Sequence, residues 1–215
     1  MREDLAAYGG GGFYDIPAHH RRCCDRGCLG CSRAYPVGRN WSQEGDGKER
    51  QPMTVWPKQN DKAAMTALYG NPDNGTGKAD PKWEAAHLIA IKPPYQMVYG
   101  STPIKTIRVN KGCSEAMLEA LEGILKLYGT QGEIEKHGMH RFSGCYNFRP
   151  KRGGGSLSVH AYGAAIDLDA EHNPFRTKKF SMPKEVIKVF TDLGADAGAN
   201  WNPPDAMHFQ FARVR

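Results

Sequence analysis

The sequence has no apolar run long enough to cross a bilayer, and its start, MREDLAAYGGGG, lacks the basic opening and apolar stretch of a secretory signal. Those absences exclude a membrane-spanning reading and set the expectation of a soluble chain made in the cytoplasm, with no membrane insertion. No internal repeat is visible. A phosphate-binding loop is also missing: GTGK at 75–78 is followed by Ala79 where Ser or Thr is required, and Pro81 interrupts the helix such a loop must open. Cysteine is scarce outside one cluster. Cys23, Cys24, Cys28 and Cys31 crowd the N-terminus, while Cys113 and Cys145 stand alone. Without an export signal, reduced thiols are expected, and Cys113 and Cys145 are read as buried thiols or a disulfide.

What is present is a chain of 215 residues, 40% apolar, long enough to bury one substantial core. Its net charge of +6 favours polyanionic surroundings: nucleic acid, anionic lipid or a bacterial wall. Residues 1–51 are rich in Gly, Arg and polar side chains without periodicity, so an irregular, disordered leader is expected there, with one folded domain over 52–215. The leader's cysteines could hold a second, structural zinc at Cys23, Cys24, Cys28 and Cys31, although a second ligand pair a dozen residues away is missing.

Within the body, WPKQNDKAAMTALYG predicts a helix with Ala64, Leu68 and Tyr69 on its apolar stripe and Gly70 as its stop. NPDNGTGKADP reads as a loop. HLIAI, YQMVYG and IKTIRVN are short β-prone runs between turn signals. SEAMLEALEGILKLYG predicts the clearest helix, capped by Ser114, with Met117, Leu121, Ile124 and Tyr128 on one face and Gly129 at its end. A second helix follows Met182, with Pro183 in its first turn, Val186, Ile187, Phe190 and Leu193 buried, and Gly194 after it. The fold class expected is α+β: a small antiparallel sheet flanked by helices.

Two segments carry chemistry. In GAAIDLDA the alternation of a half-buried strand puts Asp167 and Asp169 on one face, and Gly163 lets the chain turn tightly enough to return His160 beside Asp167. In PPDAMHFQF, Met207, Phe209 and Phe211 alternate with His208 and Gln210, with Asp205 in the preceding turn. If the strands are neighbours, His160, Asp167 and His208 offer two imidazoles and a carboxylate, a catalytic zinc set with one tetrahedral position open. Asp169 is the rival ligand or a strand-end carboxylate bonded to a turn. Asp205 is either a proton acceptor beside the metal or a turn cap. His137 and His140 have helical ligand spacing but no companion carboxylate, and are read as surface residues.

SVHAYGAAIDLD together with DAMHFQF resembles the zinc peptidases of the VanY-like D-alanyl-D-alanine carboxypeptidase family, which includes phage L-alanyl-D-glutamate endopeptidases used as endolysins. Ser158, His160, Gly163, Ala165, Asp167, Asp205 and His208 follow the family's order and spacing. The resemblance implies a DD-peptidase-like, hedgehog-type fold and one zinc on His160, Asp167 and His208. It also implies Asp205 as base and then acid, and, from SGCYNFRP, Arg149 as the group on the substrate carbonyl. Ser158, Tyr162 and Trp201, with Tyr146, are candidate substrate-binding or cleft-wall residues. Lys151, Arg152 and Arg176 are candidates for a terminal carboxylate.

The implied function is peptidoglycan hydrolysis at the L-Ala–D-Glu bond of the stem peptide by a monomeric endolysin that reaches the wall after holin-type release or lysis. D-Ala-D-Ala carboxypeptidase activity is the alternative within the family. A nucleic-acid-binding module, or a wall-binding protein without hydrolysis, is the alternative of another class.

Overall fold

In the computed structural model the described residues are 55–214. The expected leader over 1–51, the cysteine cluster proposed for a structural zinc and the first residues of the 52–215 domain lie outside them. The architecture is α+β, with small antiparallel sheets and helices around them.

Helix α1 (Lys62–Tyr69) starts where Asp61 accepts a hydrogen bond from the Ala64 N–H and stops at Gly70, whose φ is +74°. Its buried residues are Met65 and Tyr69, while Leu68 is exposed, so the apolar face is turned from the one the sequence spacing predicts. The loop read over 71–81 ends one residue early. Asp80 caps α2 (Pro81–His87), and Pro81 takes a first-turn position where its missing N–H costs nothing.

Strand β1 (Leu88–Ile91) follows, then the hairpin of β2 (Met97–Tyr99) and β3 (Thr102–Ile104), and then β4 (Ile107–Asn110), which pairs antiparallel with β1. IKTIRVN is thus two strands rather than one, because Ile104 pairs with Met97 and Ile107 with Ile91.

Helix α3 (Ser114–Tyr128) buries Met117, Ala120, Leu121 and Ile124. Ser114 does not cap it: the Ser114 hydroxyl donates to the Lys111 carbonyl, and the cap position, Cys113, makes no side-chain capping bond. The chain enters α3 through a 3-10 turn, Lys111–Cys113, which the Asn110 side chain caps instead. After α4 (Gln131–Lys136) comes β5 (Phe142–Gly144), then a 3-10 turn at Val159–Tyr162, β6 (Ala165–Leu168), α5 (Lys184–Asp192), β7 (Asp196–Ala197) and β8 (His208–Gln210).

The last four strands form one antiparallel sheet in the order β5-β6-β8-β7. Behind it Phe209 stacks on Phe190 of α5 with ring centroids 4.0 Å apart, and Trp56 meets Phe211 edge-on at 5.0 Å. Burying each such ring contributes about 1.5–3 kcal/mol, so β8 is pinned by its apolar face and its other face is left for polar groups.

Asn110 ties this sheet to the rest. It is 1% exposed, and its amide donates to the carbonyls of Tyr69 and Tyr162, both at 3.0 Å, while its own N–H donates to Gly163 O at 2.9 Å. At Gly163 φ is +69°, and an added Cβ would lie 2.8 Å from Leu88 Cδ2 and 3.1 Å from Asn110 N. Gly163→Ala is therefore expected to destabilise the fold by about 1–3 kcal/mol, measured as a lower midpoint of thermal or denaturant unfolding.

Candidate metal centre

The turn that carries His160 is built before the site is. Ser158 caps it by accepting the His160 N–H at 3.3 Å, and left-handed Gly163 closes it. Asp167 lies on β6 directly opposite His208 on β8. The three side chains meet: His160 Nε2 is 3.1 Å from His208 Nδ1 and 3.2 Å from Asp167 Oδ1, and His208 Nδ1 is 2.9 Å from the same carboxylate oxygen. Among the described residues this is the one group of three or more His, Cys, Asp or Glu placed to hold a metal ion.

The far side of each imidazole decides what the near side offers. His160 Nδ1 is 2.6 Å from the Cys145 carbonyl, which can only accept, so Nδ1 carries the proton and Nε2 presents a lone pair. Gln210 Nε2 donates to the Ala212 carbonyl at 2.8 Å, which turns Oε1 toward His208 Nε2 at 3.0 Å. That nitrogen must then be the donor, and the neutral His208 ring presents its Nδ1 lone pair to the centre. Two lone pairs and a carboxylate oxygen thus converge within about one hydrogen-bond length, an arrangement that repels itself unless a cation sits among them.

The electrostatics agree. Burial works against ionisation of Asp167, yet the adjoining His160 and His208 outweigh it and hold the carboxyl well below its usual range. Burial likewise opposes a charge on His208, but Asp167 and Gln210 lift it above the ordinary imidazole value, so without metal a proton takes the cation's place. For zinc bonds of roughly 2.0–2.1 Å, tetrahedral ligand atoms lie about 3.3 Å apart, close to the three separations found here, and the imidazole and carboxylate donors suit zinc. The residues fit the ion.

Asp205 sits beside this group. Its carbonyl accepts the His208 N–H at 3.0 Å, and its own N–H donates to Gly198 O at 2.8 Å. Carboxylate atom Oδ1 is buried with no hydrogen-bond partner among the described residues. Burial pushes the Asp205 carboxyl up; His208 acts against that rise and Asp167 adds to it. Gly198 is required for the approach, since a Cβ there would fall 2.2 Å from Asp205 O.

A cavity of about 360 Å³ adjoins the group, and Arg149, Tyr146, Arg108, Phe142 and Tyr99 line it with His160 and Asp167. Trp201 lies with its ring 5.3 Å from that of His208, and its indole N–H donates to Asp196 at 3.0 Å. Tyr162 faces elsewhere: it is 6% exposed, packs 6.4 Å from Tyr69 and is not among the residues lining the cavity. Ser158 is 7% exposed and spends its hydroxyl on the turn.

Asp169 does not share Asp167's face. β6 ends at Leu168, Asp169 turns to φ +47°, and its carboxylate accepts from Arg141 at 3.2 Å and pairs with His172 at 2.8 Å, the strand-end role. Arg152 and Arg176 stack on Phe175, at 4.6 Å and 5.1 Å from its ring centre, and Lys151 donates to Asn60 at 2.8 Å. None of the three lines the cavity. His137 stacks on Tyr128 at 4.5 Å, whereas His140 is half-buried with no partner for its Nδ1 among the described residues, not the surface residue expected. Cys113 and Cys145 are free thiols, with burial pushing Cys113 up to about 12 and Cys145 well above its usual value.

Residues 152–211 match the family model described as D-alanyl-D-alanine carboxypeptidase. That span includes His160, Asp167, Asp205 and His208 but stops short of Arg149, and it covers less than a third of the 215 residues. It supports a metallopeptidase of the kind that cleaves wall peptides. No curated protein and no solved structure matches the chain.

Two contributors had no role in the sequence reading. Gln210 was readable in principle, being two residues from His208 on the same strand face; the Cys145 carbonyl was not, since a backbone acceptor leaves no mark in a sequence. Gln210→Leu is expected to weaken zinc binding about 10- to 100-fold with all three ligands intact, read by competition with a chromophoric chelator. Because the proton on His208 competes for the same lone pair, affinity in the same titration should fall as pH drops through the raised His208 range.

Proposed function

We propose that the protein is a zinc-dependent peptidoglycan peptidase that hydrolyses the L-Ala–D-Glu bond of the stem peptide, in the manner of an endolysin. The observation that carries this reading is the convergence of His160 Nε2, His208 Nδ1 and Asp167 Oδ1, with both imidazole tautomers dictated by carbonyl acceptors. Zinc held there supplies Lewis-acid polarisation of a carbonyl and makes water more acidic near neutral pH.

The chain's own residues divide the remaining work. Asp205, whose Oδ1 has no partner among the described residues and whose carboxyl is pushed up by burial, takes the proton from the attacking water as the new C–O bond forms. It returns that proton to the nitrogen as the C–N bond breaks. Arg149, on the cavity wall, donates to the carbonyl oxygen as negative charge develops. Among the described residues its side chain bonds only the neighbouring Pro150 carbonyl, at 3.4 Å, a weak contact to give up. Ser158 serves the reaction through His160, as a positioning residue. The net charge of +6 favours retention on an anionic wall.

D-Ala-D-Ala carboxypeptidase activity is the second reading, favoured by the description of the matched family model itself. Mass spectrometry of wall fragments separates the two: release of the peptide from L-Ala marks the endopeptidase, loss of terminal D-Ala the carboxypeptidase.

Asp205→Asn is expected to bind one zinc as the wild type does and to lower kcat about 100- to 10,000-fold on purified peptidoglycan. Turnover at the wild-type rate with zinc bound would remove Asp205 from the proton path.

A further inference from the structure

Arg108 of β4 points into the cavity from a braced position that the chemistry above leaves unused. Its Nη2 donates to Glu84 Oε2 at 2.9 Å, and the Tyr146 hydroxyl donates to the other oxygen, Oε1, at 2.5 Å. Both Glu84 oxygens are thereby occupied. The guanidinium carbon stands 5.0 Å from the centre of the Tyr146 ring, and that ring leans on Trp83 at 6.1 Å. Arg108 is therefore fixed in orientation, yet its side chain is 52% exposed and only Nη2 of its three nitrogens has a side-chain partner among the described residues. Nε and Nη1 thus remain open to a ligand at a residue that lines the cavity.

The charge of that cavity is one-sided. Arg108 and Arg149 both line it, and Asp167, the sole acidic lining residue among those described, belongs to the metal group. A second guanidinium beside the one on the scissile carbonyl, rigid and part-desolvated, is the arrangement that recognises a carboxylate through paired N–H donors.

We propose that Arg108, held by Glu84 and Tyr146, binds a free carboxylate on the residue that follows the scissile bond, which makes it a specificity determinant. This rests on the peptidase reading. The same chemistry has two sources in a stem peptide: the terminal carboxylate of D-Ala, or the α-carboxylate of D-Glu, left free where that residue is joined onward through its side chain. Arg108 replaces Lys151, Arg152 and Arg176 as the cationic reader, since those three do not line the cavity.

The test uses the zinc-loaded full chain and three matched stem peptides: both carboxylates free, the C-terminus amidated, and D-Glu replaced by isoglutamine. One of the two amidations is expected to lower wild-type kcat/KM about 10- to 100-fold, and which one names the source. Arg108→Ala should lose about the same factor on the free acid and no longer distinguish acid from amide. Arg108→Lys keeps the charge and tests the fork: it should recover only part of the preference. Zinc content and melting temperature establish that each variant is folded. An acid preference that survives in folded Arg108→Ala or is undiminished in Arg108→Lys, or a wild type indifferent to both amidations, overturns the proposal. Failure of wild type to cleave any of the three overturns the peptidase reading itself, and is told apart because no variant is needed to see it.

Discussion

Everything at this site follows from two carbonyl-type acceptors placed behind two histidines. The Cys145 carbonyl and Gln210 Oε1 each claim an imidazole proton from the outside, and each leaves a lone pair aimed at Asp167 on the inside. A folded chain that forces three acceptors together carries a local penalty, and a bound cation turns that penalty into affinity. The surrounding structure maintains the convergence against its own repulsion. Ser158 and Gly163 set the His160 turn, the β6–β8 register sets Asp167 against His208, and the Phe209–Phe190 stack stops β8 from twisting away.

Two sets of side chains adjoin the same centre. One is Asp205 and Trp201, in chain between α5 and β8, with Asp205 Oδ1 buried and without a partner among the described residues. The other lines the cavity: arginine and aromatic side chains from β2, β4, β5 and the segment after β5. The two sets come from different parts of the chain, so either can be substituted without replacing the three residues of the metal group.

How much of this the sequence disclosed depends on length and period. α3 and α5 were legible because their apolar residues recur over several turns, and β6 and β8 because alternation placed Asp167 and His208 on faces opposite to Ile166 and Phe209. Short elements were not. α2 has seven residues and was hidden in a run rich in turn formers until Asp80 and Pro81 are read as cap and first turn. On α1 the pairs Ala64/Leu68 and Met65/Tyr69 are adjacent stripes of the same spacing, and tertiary packing, which spacing does not reveal, buries the second. Asp169 kept the strand's period on paper, but the chain turns at that residue to meet Arg141 and His172, far from it in sequence or just beyond. Arg108 could not be found at all from spacing, because Glu84 and Tyr146 reach it only through the tertiary fold.

The most direct test is to strip the protein with a chelator, restore metal in steps, and measure bound zinc and release of peptide from purified wall on the same samples. The account predicts one zinc per chain, with hydrolysis rising in proportion to occupancy and both lost together in Asp167→Asn. Hydrolysis that persists in metal-free protein, or a full complement of zinc in Asp167→Asn, would contradict it.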